Sequence, residues 1–560
     1  MSCVAKVYTG VLNKRVVHFL SEKNIIAEEQ NGFRSKRSSE EHVFTLSEVI
    51  KSRLIEKKDT FVSFIDMCKA FDWVDRNLLF YKLLKYNISG KIYNAIKALY
   101  SNTVSCIKLN GKLSGWFETK SGVRQGDTLS PTLFCLFIND LITEINKLQL
   151  GIRIGNTNIS ILAYADDIAL VAENEINLQK MFDFVNEWCK KWKLSINSSK
   201  TQIVHFRRAR RKVTETEFFI GNNRIDVVNS YKYLGVLLDE HLTFSSCEKI
   251  LAEAAGRAFG GIISKLKQIK YTGYKTYEKL YKTCVSPIMN YNAGVWGFCN
   301  DKYGNALQLR VLRYFLGVHC KAPIPAIQGE FGWMTVKLER YIKICKLWNH
   351  ITSLENHRLP KIILQYTLQK GHKGLWVGEL KDKILPIAGI TELKHDTPFC
   401  IHNLKVKFHD FLEDSWKKSL ISKPKLRTYR KIKFDYKLEN YVKSVSNKFQ
   451  RSLIAQLRMG ILPLAIETGR YTNVPVNQRM CFWCKDKIED ELHFVCQCKL
   501  YSQQRSKMYD SIKNTLINFD VLTEEDKFIK IVTSCSKFFY LYLDEAWKLR
   551  KMNVFETPTV

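Results

Sequence analysis

The stretch SILAYADDIALVAE, Ser160 to Glu173, decides how the rest of the chain is read. Two apolar, β-rich runs flank Ala165, Asp166 and Asp167, which predicts one β-hairpin with acids at its tip. Neighbouring carboxylates between core strands are costly to desolvate unless a cation offsets their charge. A hard divalent ion bound by oxygens, Mg²⁺ above all, answers that need. A polar turn with both aspartates in water is the simpler account of a bare Asp-Asp pair, so the weight falls on what accompanies it.

Upstream, Thr60 to Asp66 (TFVSFID) is a β-branched and aromatic run that delivers Asp66 at a strand end. Lys69, Ala70, Phe71 and Asp72 follow, then an amphipathic helix with Val74, Leu78, Leu79 and Leu83. Thr103–Leu109 and Leu113–Thr119 flank Asn110-Gly111, a hairpin signal. The polar loop Ser121 to Asp127 carries Arg124, Gln125 and Gly126, and Ser130-Pro131 opens a helix to about Leu148. Its glycines permit close backbone approach to a ligand, and the helix start offers free N–H groups to an anion. Gln30 to Arg37, by itself, reads as a solvated basic turn between two helical runs.

Downstream, Ile176–Leu194 is predicted as a helix and Gln202–Phe206 as a strand. Arg207, Arg208, Arg210, Arg211 and Lys212 then form a basic run suited to phosphates. Phe218–Ile220 and Ile225–Val228 read as a hairpin, and Tyr231–Leu238 as one further strand broken at Gly235. From about Ser245 the period turns helical, placing a boundary near 240. Residues 320–420 read as mixed, with loops at Gly371, Gly374 and Gly378. Ser422–Lys433 is a second basic stretch, and Val445–Met459 another helix.

The formal net charge of +32 points to a polyanionic partner, nucleic acid first. No apolar run approaches the roughly 18–20 residues of a spanning helix, and the first residues lack a secretory pattern. The expectation is an intracellular protein with its sixteen cysteines mostly reduced and no membrane partner. Cys481-x2-Cys484 followed by His493, Cys496 and Cys498 matches the ligand types and spacing of a structural zinc site, with Cys496 and Cys498 competing for the last place.

Strand-end acid, Gly-Gln-Gly loop and acidic hairpin follow in the order used by nucleotide-polymerising palm domains. The motifs Phe64-Ile-Asp-Met-Cys-Lys-Ala-Phe-Asp72, Gly122 to Pro131, Tyr164-Ala-Asp-Asp167 and Tyr233-Leu-Gly235 resemble those of reverse transcriptases, in detail those of non-LTR (LINE-like) retrotransposons. Gln30-Asn-Gly-Phe-Arg34 is similar to the finger segment of that group.

That resemblance implies an α+β right-hand polymerase. Fingers and palm with an antiparallel sheet would fill 1–240 and a helical thumb 241–335. A mostly helical connecting region would occupy 336–470, a CCHC zinc module 471–505 and a helical tail 506–560. It implies an RNA-directed DNA polymerase that joins a dNTP to a primer 3′-hydroxyl with two Mg²⁺ (or Mn²⁺) ions. Its partners would be an RNA template, a DNA primer or target and dNTPs, with a nuclear site of action. Asp66, Asp166 and Asp167 would bind the metals, and Lys200 would protonate pyrophosphate. Phe71 would exclude a ribose 2′-hydroxyl, while Arg124, Gln125 and Gly126 would shape the nucleotide pocket. Tyr233, Leu234 and Gly235 would grip the primer, and Cys481, Cys484, His493 and Cys498 would hold one Zn²⁺. An endonuclease and a basic Arg-Pro-Ile-like finger segment usually stand ahead of this point. Their absence here implies a truncated element protein, with a catalytically inactive nucleic-acid-binding remnant as the alternative.

Overall fold

The computed structural model describes residues 3–269, 272–394, 397–513, 518–534 and 536–555. They form two compact units that interleave along the chain. The first comprises Met1–Cys247, Tyr291–Cys299 and Tyr341–Cys400; the second comprises Glu248–Asn290, Asn300–Arg340 and Ile401–Val560.

The first unit is built on a six-stranded sheet. Its strands lie in the order Phe218–Ile220, Asn223–Val228, Gln202–Phe206, Thr60–Ile65, Asp167–Ala172 and Ile161–Tyr164. All neighbours are antiparallel except Gln202–Phe206 and Asn223–Val228, which run parallel. Every residue of Thr60–Ile65 is buried, which explains its unbroken apolar run: both faces of this central strand are covered. On one face Phe61 and Ile65 join a core with the helices Ser130–Lys147 and Glu175–Trp192. On the other, Phe64 stacks on Tyr231 at 4.3 Å.

The helix Ser39–Ile55 is buried almost all round, including Glu41, His42 and Glu48. Its start is capped by Ser38, whose side chain accepts the Glu41 N–H. Residues far along the chain complete its surroundings. Trp376 lies edge-on to Phe44 at 5.4 Å, and its backbone N–H donates to Glu48. Glu41 is ion-paired with both Arg358 and His350. Buried carboxylates such as these need paired partners, and the 341–400 segment supplies them.

Two expectations change. Tyr231–Leu238 is a hairpin of Ser230–Tyr233 and Val236–Asp239, not one interrupted strand. Leu234 and Gly235 both take positive φ (45° and 83°), the requirement of a tight two-residue turn. Residues 320–420 are largely helical, with Ile324–Phe331, Val336–Thr352, Leu359–Lys370, Trp376–Lys383 and Ile401–Ile421. Gly378 marks no loop; it lies inside a helix where a Cβ would come within 2.4 Å of the His372 carbonyl oxygen. The weak periodicity there reflects helices buried on more than one side.

The second unit is helical around a large aromatic core that includes Tyr277, Tyr281, Phe315, Trp416, Tyr429 and Tyr436. Arg458, fully buried, is paired with Glu330 and Glu439. No helix among the described residues is long and apolar enough to cross a membrane.

Candidate active site and thiol cluster

Asp66 leaves the central strand one residue beyond the pair Ile65↔Ile168, so the same register sets it opposite Asp167. Opposed residues of an antiparallel pair sit roughly 4.5–5.5 Å apart at Cα. Tyr164 pairs with Asp167, leaving Ala165 and Asp166 as the turn. Ala165 holds φ at 59°, a left-handed conformation that costs a β-carbon-bearing residue energy.

The loop carrying Lys200 is tied to the same strand end. The Asn197 N–H donates to the Asp66 carbonyl at 2.8 Å, and the Asp66 N–H donates to the Thr201 hydroxyl at 3.2 Å. Asp66, Asp166, Lys69, Trp73, Asn197 and Lys200 thereby line one open cavity of about 560 Å³. Loss of hydration, with a further push from Asp66, raises the Asp166 carboxyl above its ordinary value. Asp167 is pushed up to about 6 by loss of hydration, then by Asp166 and Asp66. Carboxylates that disfavour one another's charge, all offering hard oxygen donors, fit a divalent cation such as Mg²⁺.

Phe71 stacks on Phe134 at 4.5 Å and meets Phe33 edge-on at 6.2 Å. Arg124, Gln125 and Gly126 do not line the acid-bearing cavity. They are strapped to the Phe71–Asp72 loop, where the Val123 N–H donates to the Phe71 carbonyl and the Gln125 amide to Asp72 at 3.0 Å. Gly122 is required here, since a Cβ would stand 2.7 Å from the Asp72 carbonyl oxygen. The Tyr233-Leu234-Gly235 turn belongs to the hairpin under Phe64, and Gly235 abuts the Tyr291 ring. Burial, then the Asp167 charge, raises the Tyr233 phenol well above its usual value, so this hairpin lies close to the acids.

The sequence reading missed Gln30 and the supporting pair Asn197 and Thr201. Gln30 to Arg34 is no solvated turn: Gln30 and Asn31 are buried, and the segment runs beside Ala163. The only local signal was an apolar-poor segment holding an amide and a glycine, which is also the signature of a surface turn. The basic run at 207–212 is partly consumed by the fold. Arg207 pairs with Glu240 and Arg211 with Asp59, both at 2.7 Å, and Arg208 donates to the Leu54 carbonyl. In the second basic stretch, Lys425, Arg427 and Lys433 pair with Glu467, Glu491 and Glu439.

In the second unit, Cys481, Cys484, His493 and Cys498 converge, with one ligand atom from each within 4.8 Å of the others. The Cys498 sulfur is 3.8 Å from those of Cys481 and Cys484. A tetrahedron with Zn–S bonds of about 2.3 Å has edges of about 3.8 Å. Both ring nitrogens of His493 are buried without a hydrogen-bond partner, which suits a metal ligand. The hydrogen bond from Cys498 holds the Cys481 thiol well below its ordinary value, favouring a thiolate. Cys496 stands outside the cluster, its thiol pushed up to about 11 by burial. These donors fit Zn²⁺.

A sheet with acids opposed at one strand end and a tight acidic turn beside it is the arrangement that the sequence motifs call for. Residues 1–275 match the family described as reverse transcriptase (RNA-dependent DNA polymerase). The curated relatives that the chain matches are named as RNA-directed DNA polymerases and Pol polyproteins of transposable elements. The chain is 26% identical over 316 residues to a Drosophila melanogaster protein named "Probable RNA-directed DNA polymerase from transposon BS", covering 55% of this chain and 34% of that one. It is 28% identical over 320 residues to the RNA-directed DNA polymerase from mobile element jockey of Drosophila funebris, covering 53% and 34%. With the Pol polyprotein from retrotransposable element R2 of Popillia japonica it shares 26% over 330 residues, covering 56% and 52%. The chain thus spans about a third of the transposon BS and jockey proteins. A solved telomerase from Candida albicans is a distant likeness, with TM-score 0.33 and 12% identity over 64% of this chain and 58% of that one.

Proposed function

We propose that the first unit copies RNA into DNA as the polymerase of a non-LTR retrotransposon, joining dNTPs to a primer 3′-hydroxyl. The observation that carries this is the open cavity lined by Asp66, Asp166 and Lys200, with Asp167 opposite Asp66 in the strand register. Two divalent cations held by Asp66, Asp166 and Asp167 would supply activation of the hydroxyl and neutralisation of the triphosphate.

The chain's own side chains do the rest by positioning and charge. Lys200 lines the cavity with Asp66 and Asp166, on a loop tied to the Asp66 backbone through Asn197, and its ammonium would hand a proton to departing pyrophosphate. Phe71, clamped between Phe134 and Phe33, offers a rigid aromatic wall on which a 2′-hydroxyl would clash. Gln125, held by Asp72, and Gly126 and Arg124 beside it would frame the incoming nucleotide. The Tyr233-Leu234-Gly235 turn would press the primer end toward the acids. Template RNA, primer DNA and dNTPs are the partners, and copying onto chromosomal DNA places the work in the nucleus. In the second unit, Cys481, Cys484, His493 and Cys498 would hold one structural Zn²⁺.

Primer extension on an RNA template with Mg²⁺ tests the reading. Labelled product that disappears in Asp166→Ala supports it. Salt-sensitive RNA binding without extension assigns the chain to a binding remnant instead.

A further inference from the structure

The acidic turn is held in shape from outside. Ala165 carries a left-handed φ of 59° without being glycine, so its neighbours must over-determine it. Gln30 is fully buried beneath it. Its side-chain oxygen accepts the Ala165 N–H at 2.9 Å and the Gly32 N–H at 2.8 Å, and its amide nitrogen reaches the Ala165 carbonyl at 3.5 Å. One side chain thus engages both polar backbone atoms of the strained residue. The backbone alongside is bolted in the same sense: the Asn31 N–H donates to the Ala163 carbonyl at 2.9 Å, and the Ala163 N–H to the Glu29 carbonyl at 3.0 Å. Gly32 completes the cradle, because a Cβ there would lie 2.3 Å from the Ala165 nitrogen. Asp166 and Asp167, the next two residues, take their direction from this turn.

We propose that Gln30 is a positioning residue of the polymerase site, which sets the Ala165 turn so that Asp166 and Asp167 converge with Asp66 on divalent cations. This rests on the polymerase reading above. A buried amide satisfied on three sides resists rotation, and its removal strands the Ala165 N–H without a partner. The turn is then free to relax toward ordinary φ, which swings the acids out of register with Asp66.

The test compares Gln30→Met, which keeps the volume and loses both hydrogen-bonding ends, with Gln30→Glu, whose buried protonated carboxyl keeps the acceptor and one donor. Gly32→Ala presses on the same turn while keeping the Gln30 side chain. Mn²⁺ alone is titrated into each protein, free ion being read by electron paramagnetic resonance, and kcat and KM for dNTP are measured on a primed RNA template. Expected for Gln30→Met and Gly32→Ala is a loss of about 10–100-fold in Mn²⁺ affinity, the range for residues that orient metal ligands. The fall should appear in kcat with KM for dNTP little changed, and Gln30→Glu should recover most of it. A general packing defect would not follow that rescue pattern. Wild-type Mn²⁺ affinity and kcat in Gln30→Met, or equal losses in the Glu and Met variants, overturns the proposal. If the wild type binds Mn²⁺ but does not extend primers, the polymerase reading fails while the titration still decides the role of Gln30. A wild type that binds no Mn²⁺ overturns both.

Discussion

The acid-bearing strand end and the thiol cluster bring together, by opposite means, side chains that are costly to gather. The thiol cluster is closed and local: four soft donors from an eighteen-residue span, three of them buried, with sulfurs at tetrahedral edge distances. The acid cluster is open and assembled from afar. Asp66 and Asp166 stand a hundred residues apart, meet through strand register, and face a cavity rather than a core. A closed set of ligands serves the fold, whereas an open set leaves coordination positions for a substrate.

Breaking each cluster separately should show that difference, and the largest effect is expected at the acids. Asp166→Ala should reduce primer extension by at least about 10³-fold, since it removes a charge-stabilising group from the reacting centre. Zinc content should be unchanged; a parallel loss of zinc would mean the variant had unfolded. Next in size is Cys498→Ser, expected to lose the single zinc and with it the cooperative melting of the second unit. Cys496→Ser should retain one zinc per chain by elemental analysis, and equal zinc loss in both variants would overturn the ligand assignment.

Phe71→Ala should lower discrimination against ribonucleotides by about 10–100-fold, the scale of a steric pocket contact, measured as the ratio of kcat/KM values. Unchanged discrimination would remove Phe71 from the sugar wall. The smallest effect concerns acid stability of the first unit. His42 is buried and neutral, its imidazole pushed down to about 3 by burial. Its folded value lies below the unfolded one, so the unfolded chain binds more protons between about 6.5 and 3. The stability it contributes is complete above about 6.5 and lost as pH falls toward 3. His42→Phe should flatten that decline in melting temperature across the window; an identical pH profile would show that His42 does not govern it.

The two clusters also differ in how far they could be read from the chain. Cys481 to Cys498 is legible because its ligands are close in sequence and chemically distinctive. The acids were legible only as motifs, and their meeting depended on a register that no local pattern states. The role of Gln30, named only within the finger-segment resemblance, was hidden for a physical reason. A polar residue beside Asn-Gly looks like a surface turn until its partner, the Ala165 backbone 135 residues on, is in place. The basic run at 207–212 misled in the converse way, because Glu240 and Asp59, which neutralise Arg207 and Arg211, lie outside it. Tyr231–Leu238 read as one strand because alternation survives a two-residue turn and only the φ values betray the reversal.

The interleaving of the two units bears on how the protein is made and cut. Phe44, Glu41 and Glu48 wait for Trp376, His350 and Arg358, so the first unit is incomplete until residue 400 has been synthesised. At roughly 5–20 residues per second, the nascent chain passes many seconds after position 247 with that buried helix bare. A fragment trimmed at residue 275, where the family match ends, would keep the acidic motifs yet expose its buried helix Ser39–Ile55 to aggregation. For this chain the end of the family match and the end of the folding unit are different places, and expression should respect the second.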